Sequence, residues 1–326
     1  MITVLLSVFN GEEWLVECIE SILEQSYRDF EFLIIDDGSL DNTLEIIKRY
    51  ATLDERIRYI TQGNMGLTKS LNKGLKIAKG DWIARIDSDD IARPKRLELQ
   101  LEFALKKKAA LVGCQSIIID NDNSIKRKIL VPTEHKKLFS NLQKQKKFFS
   151  HSSVFFNKKL ILNLGGYREI MKKSQDYDLW LRVSEIKKIG CISYFGNYLR
   201  DHKKRISYNS NGIEQRLYSH CANISHRLRT NYGPKYDPLN NNISDKFFIK
   251  FVSKNLEITG TLNFYKQLYK FKNKTNNFPA LMKIFLIPIY FNKLDLFWKL
   301  LIWIVKGDFI SKIIAKKWLK LNSKNI

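Results

Sequence analysis

The sequence predicts an α/β fold: an open, mixed and mainly parallel sheet flanked by helices, followed by a mainly helical C-terminal extension. In the first hundred residues, short apolar runs of strand length alternate with segments whose apolar residues recur at helical spacing. This rhythm is typical of right-handed βαβ units. From about residue 205 the composition shifts to Asn, Lys and aromatic residues. We therefore expect one domain over 1–207 and a second region over 208–326.

The apolar pattern places each element of the first domain in turn. Strands are predicted at 2–8, 32–35, 57–61 and 82–86, where β-branched and aromatic residues cluster. Helices are predicted between them, at 12–25, 42–50 and 68–79, because apolar residues there lie on one helical face. Pro94 introduces a helix that reaches about residue 106. The apolar run at 109–119 predicts another strand, which a polar turn at 120–124 ends.

The remainder of the domain is less regular. Residues 125–150 are basic and show no clear period. A strand is predicted at 152–156, a short helix at 158–164 and an amphipathic helix at 176–187. Gly165 and Gly166 end the short helix. Residues 190–200 are typical of a final β pair.

The net charge of +23 is unevenly distributed along the chain. Residues 1–105 carry 13 Lys and Arg against 19 Asp and Glu, whereas residues 106–326 carry 43 against 14. A basic half indicates an anionic partner for that half only, such as nucleic acid, lipid headgroups or a phosphorylated substrate. A lysine-rich composition on solvated surfaces explains the same charge equally well.

Cysteine usage and hydropathy indicate a cytoplasmic setting. The four cysteines are scattered, with no C-x-x-C pair and no His at ligand spacing, so neither a zinc site nor a disulfide framework is expected. No segment has the roughly 18 uncharged apolar residues of a membrane span. The N-terminus opens directly into a strand-like run. We expect a chain that does not cross a bilayer but can bind at the cytoplasmic face of the inner membrane.

Polar and acidic residues follow three of the predicted parallel strands. The segments are SVFN at 7–10, DDGS at 36–39 and DSDD at 87–90. In an open α/β sheet, the carboxyl ends of the strands form the edge at which ligands bind. Three segments that are distant in the chain are therefore predicted to meet at one site.

The acidic group Asp87, Asp89 and Asp90 is costly to bury unless a positive charge neutralises it. Carboxylate oxygens suit Mn²⁺ or Mg²⁺, and a substrate diphosphate can supply the remaining ligands. The alternative is a solvated turn in which Asp89 or Asp90 caps the helix after Pro94. The sequence has neither a P-loop nor a dinucleotide fingerprint, so we expect metal and lysine to hold any phosphates.

Seven motifs occur in a fixed order along 1–207 and together resemble those of family 2 glycosyltransferases. They are SVFNG at 7–11, ESILEQS at 20–26, DDGSLDNT at 36–43, GNMGL at 63–67, IDSDD at 86–90, GGY at 165–167 and QDYDLWLR at 175–182. The resemblance implies a GT-A type fold and an inverting, metal-dependent enzyme. Such an enzyme takes a sugar from a nucleotide-sugar donor.

The resemblance also implies roles for individual residues. Asp37 is expected to contact the nucleotide base, Asp87 to lie near the ribose and diphosphate, and Asp89 to bind the metal. Asp176 is expected to be the catalytic base, and His202 is a further candidate for the metal or diphosphate. The nucleotide-sugar contacts are completed by Val8, Phe9, Asn10, Asp36, Lys69 and Ser88.

Two positions depart from the family's usual pattern. The family often has Arg directly before the Asn of the helix that follows the Gly-Leu motif, but Leu71 stands here. Lys69 is therefore only a candidate substitute for a phosphate or base contact. The Glu commonly found before the catalytic Asp is replaced by Gln175, which removes one charge and leaves the base in place.

The chemistry of an inverting reaction independently supports Asp176 as the catalytic base. Direct displacement at the anomeric carbon needs one carboxylate to take the acceptor proton and a metal to stabilise the departing diphosphate. Asp178 lies two residues further on and points elsewhere, so we expect it to pair with Arg182 at i, i+4 spacing. The alternative for Asp176 is an N-cap of the helix.

The C-terminal region is basic and aromatic. Residues 245–326 carry 16 Lys and Arg against 4 Asp and Glu. Lysines at 312, 316, 320 and 324 form one stripe, opposite apolar residues at 310, 314, 318 and 321. Such a helix can lie on an anionic membrane surface, with the aromatic residues inserted. It can equally pack on the protein itself or on a second copy in a homo-oligomer.

These observations favour an enzyme that transfers a sugar to a hydroxyl of a glycan or lipid-linked acceptor in cell-envelope polysaccharide synthesis. We interpret the donor as a UDP-linked sugar. The first alternative is a sugar-phosphate nucleotidyltransferase, which would need a Gly-rich loop after the first strand. The second is a basic nucleic-acid-binding protein. The acidic segments argue against nucleic acid, because they would repel a phosphate backbone.

Overall fold

The computed structural model describes residues 1–202, 212–240, 245–258 and 310–321. The chain divides into two compact units, 1–142 with 146–203 and 143–145 with 204–326. The boundary predicted at 207 lies outside the described residues. The strands are β1 Ile2–Val8, β2 Phe30–Asp36, β3 Ile57–Thr61, β4 Trp82–Arg85, β5 Ile91–Ala92, β6 Leu111–Ile119, β7 Ile125–Ile129, β8 Phe155–Asn157 and β9 Ile189–Arg200.

The helices of the first unit lie between these strands. They are α1 Glu12–Leu23, α2 Thr43–Leu53, α3 Leu67–Ile77, α4 Arg96–Lys107, α5 His135–Gln143, α6 Lys158–Asn163 and α7 Gln175–Ile186. The mixed, mainly parallel sheet flanked by helices that the sequence predicts is confirmed, with element ends displaced by a few residues. The basic segment 125–150, which has no clear sequence pattern, contains β7 and α5.

One sheet has the strand order β3-β2-β1-β4-β8-β6-β9-β5, and β7 pairs with β6 beside it. The pairs β1–β2, β1–β4, β2–β3 and β6–β9 are parallel. Because β8 runs antiparallel to both β4 and β6, these two strands also point the same way. Six strands therefore end at one edge of the sheet. Strand order reverses between β1 and β4, and that is where an open α/β sheet binds its ligands.

The core of this unit follows from the apolar strands. All seven residues of β1 and all nine of β6 are buried, as expected for strands covered on both faces. Glycines let neighbouring elements approach closely. A Cβ on Gly74 of α3 would lie 2.4 Å from Cδ1 of Leu5 on β1. Helix α3 therefore packs directly on the sheet.

Two sequence predictions need correction in this unit. Residues 190–200 do not form a β pair: Ile189–Arg200 is one strand, whose register with β6 shifts near Cys114 and Gln115. Residues 151–153 form a short 3₁₀ turn before β8 instead of the start of a strand. The shift in register bends β9 locally. In the sequence, this bend interrupts the apolar pattern in the same way as a turn between two strands would.

The second unit contains α8 Ile213–Tyr232, α9 Asp245–Ile258 and a helix at 310–321. Trp318 is only 6% exposed, because Phe247, Phe248 and Phe251 of α9 surround its ring at centroid distances of 4.9–5.8 Å. The lysines at 312, 316 and 320 are exposed. Trp318 thus packs on α9. Lys324 lies outside the described residues.

Within the described residues, no helix is both long and apolar enough to span a bilayer.

The ion pair predicted between Asp178 and Arg182 is confirmed and is part of a larger buried group. Asp178 is fully buried on α7 and accepts from Arg182 Nε at 2.9 Å and from Arg168 Nη1 at 3.1 Å. Arg182 also donates to the carbonyls of Leu164 and Gly166. Helix α7 is thereby fixed against the loop after α6.

We predict that Asp178→Asn lowers the free energy of unfolding by about 3 kcal/mol or more, because two buried guanidiniums lose their carboxylate. Urea unfolding measures the loss. The matched control is Glu45→Gln, since the Glu45–Lys48 pair is exposed on α2 and should leave the midpoint unchanged. Equal midpoints for both variants would contradict a structural role for Asp178.

Candidate active site

The loops after β1 and β2 are held together by short hydrogen bonds. Asp37 N–H donates to the Val8 carbonyl at 2.8 Å, and Asn10 N–H donates to Ser39 Oγ at 3.0 Å. Leu40 N–H donates in turn to Asn10 Oδ1 at 2.8 Å. Asp36 Oδ1 accepts from Ser39 N–H at 3.1 Å. The first two predicted segments therefore meet, as their position at the strand ends requires.

The loop after β1 also lies against the loop after β4. A Cβ at Gly11 would come within 2.5 Å of Val8 Cγ2 and 3.0 Å of Ser88 Oγ. A larger residue at this position would press on the side chains of Val8 and Ser88. Gly11 therefore brings the 7–11 and 87–90 segments into contact across the β1–β4 switch point. Phe9 is 45% exposed beside it.

Asp37 shapes the loop that precedes α3. Its carboxylate accepts from the amides of Met65 at 2.9 Å and Gly66 at 2.8 Å, and from Gln62 Nε2 at 2.8 Å. Asp37 is only 3% exposed. Three donors on one carboxylate offset the cost of its burial. Gly66 adopts a φ of 86°, which favours glycine at this turn.

The carboxylate ligand atoms of Asp87, Asp89 and Asp90 lie within 4.8 Å of one another. His202 Nε2 lies 2.7 Å from Asp89 Oδ2, so the predicted His202 is beside the acidic group. Asp90 is buried, and its Oδ1 accepts from the Arg200 amide at 3.0 Å. Helix α4 is preceded by Lys95, so neither Asp89 nor Asp90 caps it. The capping role in that alternative is wrong, although residues 88–89 do form a turn.

This group fits a divalent cation of the Mn²⁺ or Mg²⁺ type. Carboxylate oxygens from one short loop give the hard ligands that these ions prefer, with open positions for phosphate oxygens or water. His202 Nδ1 is buried and has no hydrogen-bond partner among the described residues. The His202 ring packs on Trp14 with centroids 4.1 Å apart, which fixes its orientation.

Two residues near the acidic group were missed at the sequence level. Arg200 is fully buried and donates to the carbonyls of Asp89, Asp120 and Asn121 and to Glu17 Oε2 at 2.7 Å. Its partners come from three segments that are distant in the chain. No periodic pattern in the sequence predicts contacts between such distant segments. An arginine at the end of an apolar strand is a weak indication of a buried, paired charge.

Arg85 is the second missed residue. This arginine ends β4 inside an apolar run, and its guanidinium pairs with the Asp87 carboxylate. The Asp87 amide donates to Ser152 Oγ at 3.1 Å. Asp87 is therefore fixed through both its side chain and its backbone. A charged residue at the buried end of the sequence Trp-Ile-Ala-Arg could have identified it.

Asp176 lies in the first turn of α7 and is partly buried. Desolvation raises the pKa of its carboxyl group above the usual range, and the Asp87 charge adds to this. The Tyr177 amide and the positive charge of Arg85 act in the opposite direction. The residue at the N-cap is Ser174, with a φ of 54°, so the alternative of Asp176 as the N-cap is wrong.

Lys69 is the predicted site residue with the weakest structural connection. It is exposed in the first turn of α3. In the part of the chain that the structure describes, no contact joins Lys69 to the acidic residues. Its neighbours are better placed: Ser70 bonds to Gln62, and Asn72 forms two hydrogen bonds with the backbone of Tyr167. The GGY motif is thus tied to α3.

Comparison with known proteins agrees with this geometry. Residues 3–165 match Glycosyl transferase family 2, and the chain belongs to this family. The glycosyltransferase EpsE of Bacillus subtilis is 30% identical over 67% of this chain and 77% of its own length. The O-antigen biosynthesis glycosyltransferase WbnJ of Escherichia coli is 34% identical over 56% of this chain and 71% of its own.

Solved structures show the same GT-A fold. S. aureus TarS in complex with UDP-GlcNAc superposes with a TM-score of 0.59 at 15% identity, covering 84% of this chain and 91% of TarS. The mannosyltransferase PcManGT of Pyrobaculum calidifontis, in complex with GDP-Man and Mn²⁺, gives 0.54 at 16% identity. That match covers 97% of this chain and 85% of PcManGT. The GT-A fold and the family predicted from the sequence are confirmed.

We predict that Asp89→Asn weakens Mn²⁺ binding at least about 10-fold, because it removes a charged ligand from the acidic group. Calorimetric titration of Mn²⁺ in the presence of UDP measures the effect. Asp122→Asn, at an exposed position of the 120–124 turn, is the control and should bind Mn²⁺ as the unaltered protein does. Unchanged affinity in Asp89→Asn would remove this residue from the metal site.

Proposed function

We propose that this chain is an inverting, metal-dependent glycosyltransferase with Asp176 as its catalytic base. The observation that supports this most directly is the group of Asp87, Asp89 and Asp90 at the end of β4, whose ligand atoms lie within 4.8 Å of one another. Asp87 and Asp89 follow that strand, and the charges of Asp87 and Arg85 act on Asp176. The family membership favours sugar transfer over nucleotidyl transfer.

The donor side of the reaction uses the loops around the switch point. Val8, Phe9 and Asn10 line the edge beside Asp36 and Asp37, where a nucleotide base and ribose fit. Ser88 and Asp87 lie next to this edge and would face the diphosphate of a bound donor. Asp89 and His202 would hold Mn²⁺ or Mg²⁺, which supplies positive charge to the diphosphate leaving group. Lys69, exposed on α3, remains a proposed phosphate contact.

The acceptor side uses Asp176. An acceptor hydroxyl hydrogen-bonded to this carboxylate attacks the anomeric carbon as the bond to the diphosphate breaks, and its proton passes to Asp176. Attack opposite to the leaving group inverts the anomeric configuration. The base and the diphosphate must therefore lie on opposite sides of the sugar. The raised pKa of Asp176 makes it a stronger base than an exposed aspartate.

UDP is the nucleotide we propose for the donor. The support is the sequence motifs together with the fold shared with TarS, whose structure contains UDP-GlcNAc. PcManGT, with GDP-Man and Mn²⁺, makes GDP the principal alternative. WbnJ, a relative in O-antigen biosynthesis, supports a glycan or lipid-linked acceptor and a role in envelope polysaccharide synthesis.

The basic second unit is proposed to contact either an anionic membrane surface at the cytoplasmic face or a second copy of the chain. The lysines at 312, 316 and 320 are exposed on one helix and supply positive charge for headgroups. Because Trp318 is buried against α9, such a contact would be electrostatic and would weaken as salt concentration rises.

A donor panel with Mn²⁺, scored by release of nucleoside diphosphate, tests the activity. Asp176→Asn should lower kcat at least about 100-fold while leaving UDP affinity unchanged, because the base does not contact the nucleotide. Glu169→Gln, a change of the same kind in the preceding loop, is the control. Parallel loss of kcat and UDP affinity would assign Asp176 a structural role.

The pH dependence of kcat/KM gives a second test. Asp176 must be ionised to accept a proton, so activity is lost as the pH falls through its pKa. Because that pKa is raised by desolvation, the acid limb should lie above the ordinary aspartate value of about 4. The pH dependence of kcat/KM reports this limb, because it reflects the pKa values of the free protein. A limb at or below the ordinary value would contradict Asp176 as the base.

A further inference from the structure

Asn72 of α3 bonds to both backbone groups of a residue that lies 95 positions further along the chain. Its Nδ2 donates to the Tyr167 carbonyl at 2.7 Å, and its Oδ1 accepts from the Tyr167 amide at 2.9 Å. A Cβ at Gly166 would lie 2.6 Å from Asn72 Oδ1, and Gly166 has a φ of 68°, which favours glycine. Gly166 therefore leaves room for the Asn72 amide against this backbone.

The segment 164–168, which contains the GGY motif, is also bonded to α7. Arg182 of α7 donates to two carbonyls of the segment, both at 2.8 Å. Arg168 of the segment donates to Asp178, in the first turn of α7, at 3.1 Å. Asp176 belongs to that same turn. The segment 164–168 therefore joins α3 to the helix turn that carries the proposed base.

The amino end of α3 is bonded to the loop after β2, on the proposed donor side. Asp37 accepts from the amides of Met65 and Gly66 at the start of this helix. Gln62 Nε2 donates to the Asp37 carboxylate at 2.8 Å and to Ser70 Oγ of α3 at 2.9 Å. Helix α3 is thus bonded at one end to the donor-side loop and along its length to the segment that precedes α7.

We propose that Asn72 is a positioning residue of the transfer reaction. It holds the segment 164–168 against α3, and so sets where the first turn of α7, with Asp176, lies relative to the donor. Asn72 does not touch the reacting atoms in this role. Placement matters because a displacement of about 1 Å can cost about 100-fold in rate. The catalytic consequence rests on the proposed function, whereas the hold on the segment does not.

Gln115 of β6 makes the same kind of contact at a different place. Its Nε2 donates to the Val131 carbonyl at 3.0 Å, and its Oε1 accepts from the Val131 amide at 2.8 Å. These bonds join β6 to the residues after β7 and do not involve α3 or α7. Gln115→Ala therefore removes an equivalent pair of hydrogen bonds and leaves the segment 164–168 bonded to α3. It is the matched control.

Hydrogen exchange of the full chain, followed by mass spectrometry over 168–178, tests the hold on the segment without any activity. Two amides in this range, those of Met171 and Asp178, are bonded to backbone carbonyls and not to Asn72. In Asn72→Ala, exchange over 168–178 should be roughly 10-fold faster, because a pair of hydrogen bonds that anchors the preceding segment is lost. In Gln115→Ala it should be unchanged.

Steady-state kinetics separate positioning from a general loss of structure. Where sugar transfer is measured with Mn²⁺, kcat of Asn72→Ala should fall about 10- to 100-fold. Affinity for the released nucleoside diphosphate, UDP in our proposal, should stay unchanged in calorimetry, because the acidic group keeps its contacts. Gln115→Ala should change neither quantity. Asn72→Asp keeps the side-chain size but turns an oxygen toward the Tyr167 carbonyl, so it should behave in the same way, and it decides if Asn72→Ala fails to fold.

The proposal would be overturned by unchanged exchange over 168–178 in a folded Asn72 variant, or by an equal change in Gln115→Ala. An unchanged kcat, or a parallel fall of kcat and nucleotide affinity, would also overturn it. If the unaltered protein transferred no sugar from any donor, the proposed function would fail, and the catalytic role of Asn72 with it. The exchange measurement would still decide whether Asn72 holds the segment.

Discussion

The candidate site depends on balancing negative charge at one edge of the sheet. The strand order directs the ends of β1, β2 and β4 to that edge, and aspartates follow β2 and β4. Carboxylates gathered at such an edge repel one another and lose hydration. Arg85 and Arg200, both fully buried, supply compensating charge from within the protein. Asp37 is compensated differently, by backbone amides.

Hydrogen bonds from neighbouring segments also hold the residues that follow β4. Ser152 Oγ accepts from the Asp87 amide, and Asn197 of β9 donates to the Ser152 carbonyl at 2.8 Å. Arg200 then joins β9 to the loop that contains Asp89 and Asp90. The end of β4 is thus braced from neighbouring segments on both sides. Such bracing keeps reacting groups within the narrow range of positions that transfer requires.

Much of the fold could be predicted from the sequence, because buried parallel strands and amphipathic helices have short, regular periods. The predictions fail where tertiary contacts replace local pattern. The bend in β9 has the pattern of a turn, and β7 is an exposed edge strand with no alternation of apolar residues. For Trp318 the sequence leaves membrane contact and packing on protein open, and its ring contacts with α9 are of the second kind. In each case the decisive partner is distant in the chain.

The sequence by itself determined the α/β class, the family and the convergence of the acidic motifs, because strand direction and local spacing suffice for these. It also determined the Asp178–Arg182 pair, since i, i+4 spacing on a helix is a local property. Only the tertiary structure decided which charges compensate the site. The partners of Arg200 come from α1, from the loop after β4 and from the turn after β6, and no local period encodes that arrangement. The motifs of the candidate site are therefore local in the sequence, whereas charges that compensate them come from residues distant in the chain.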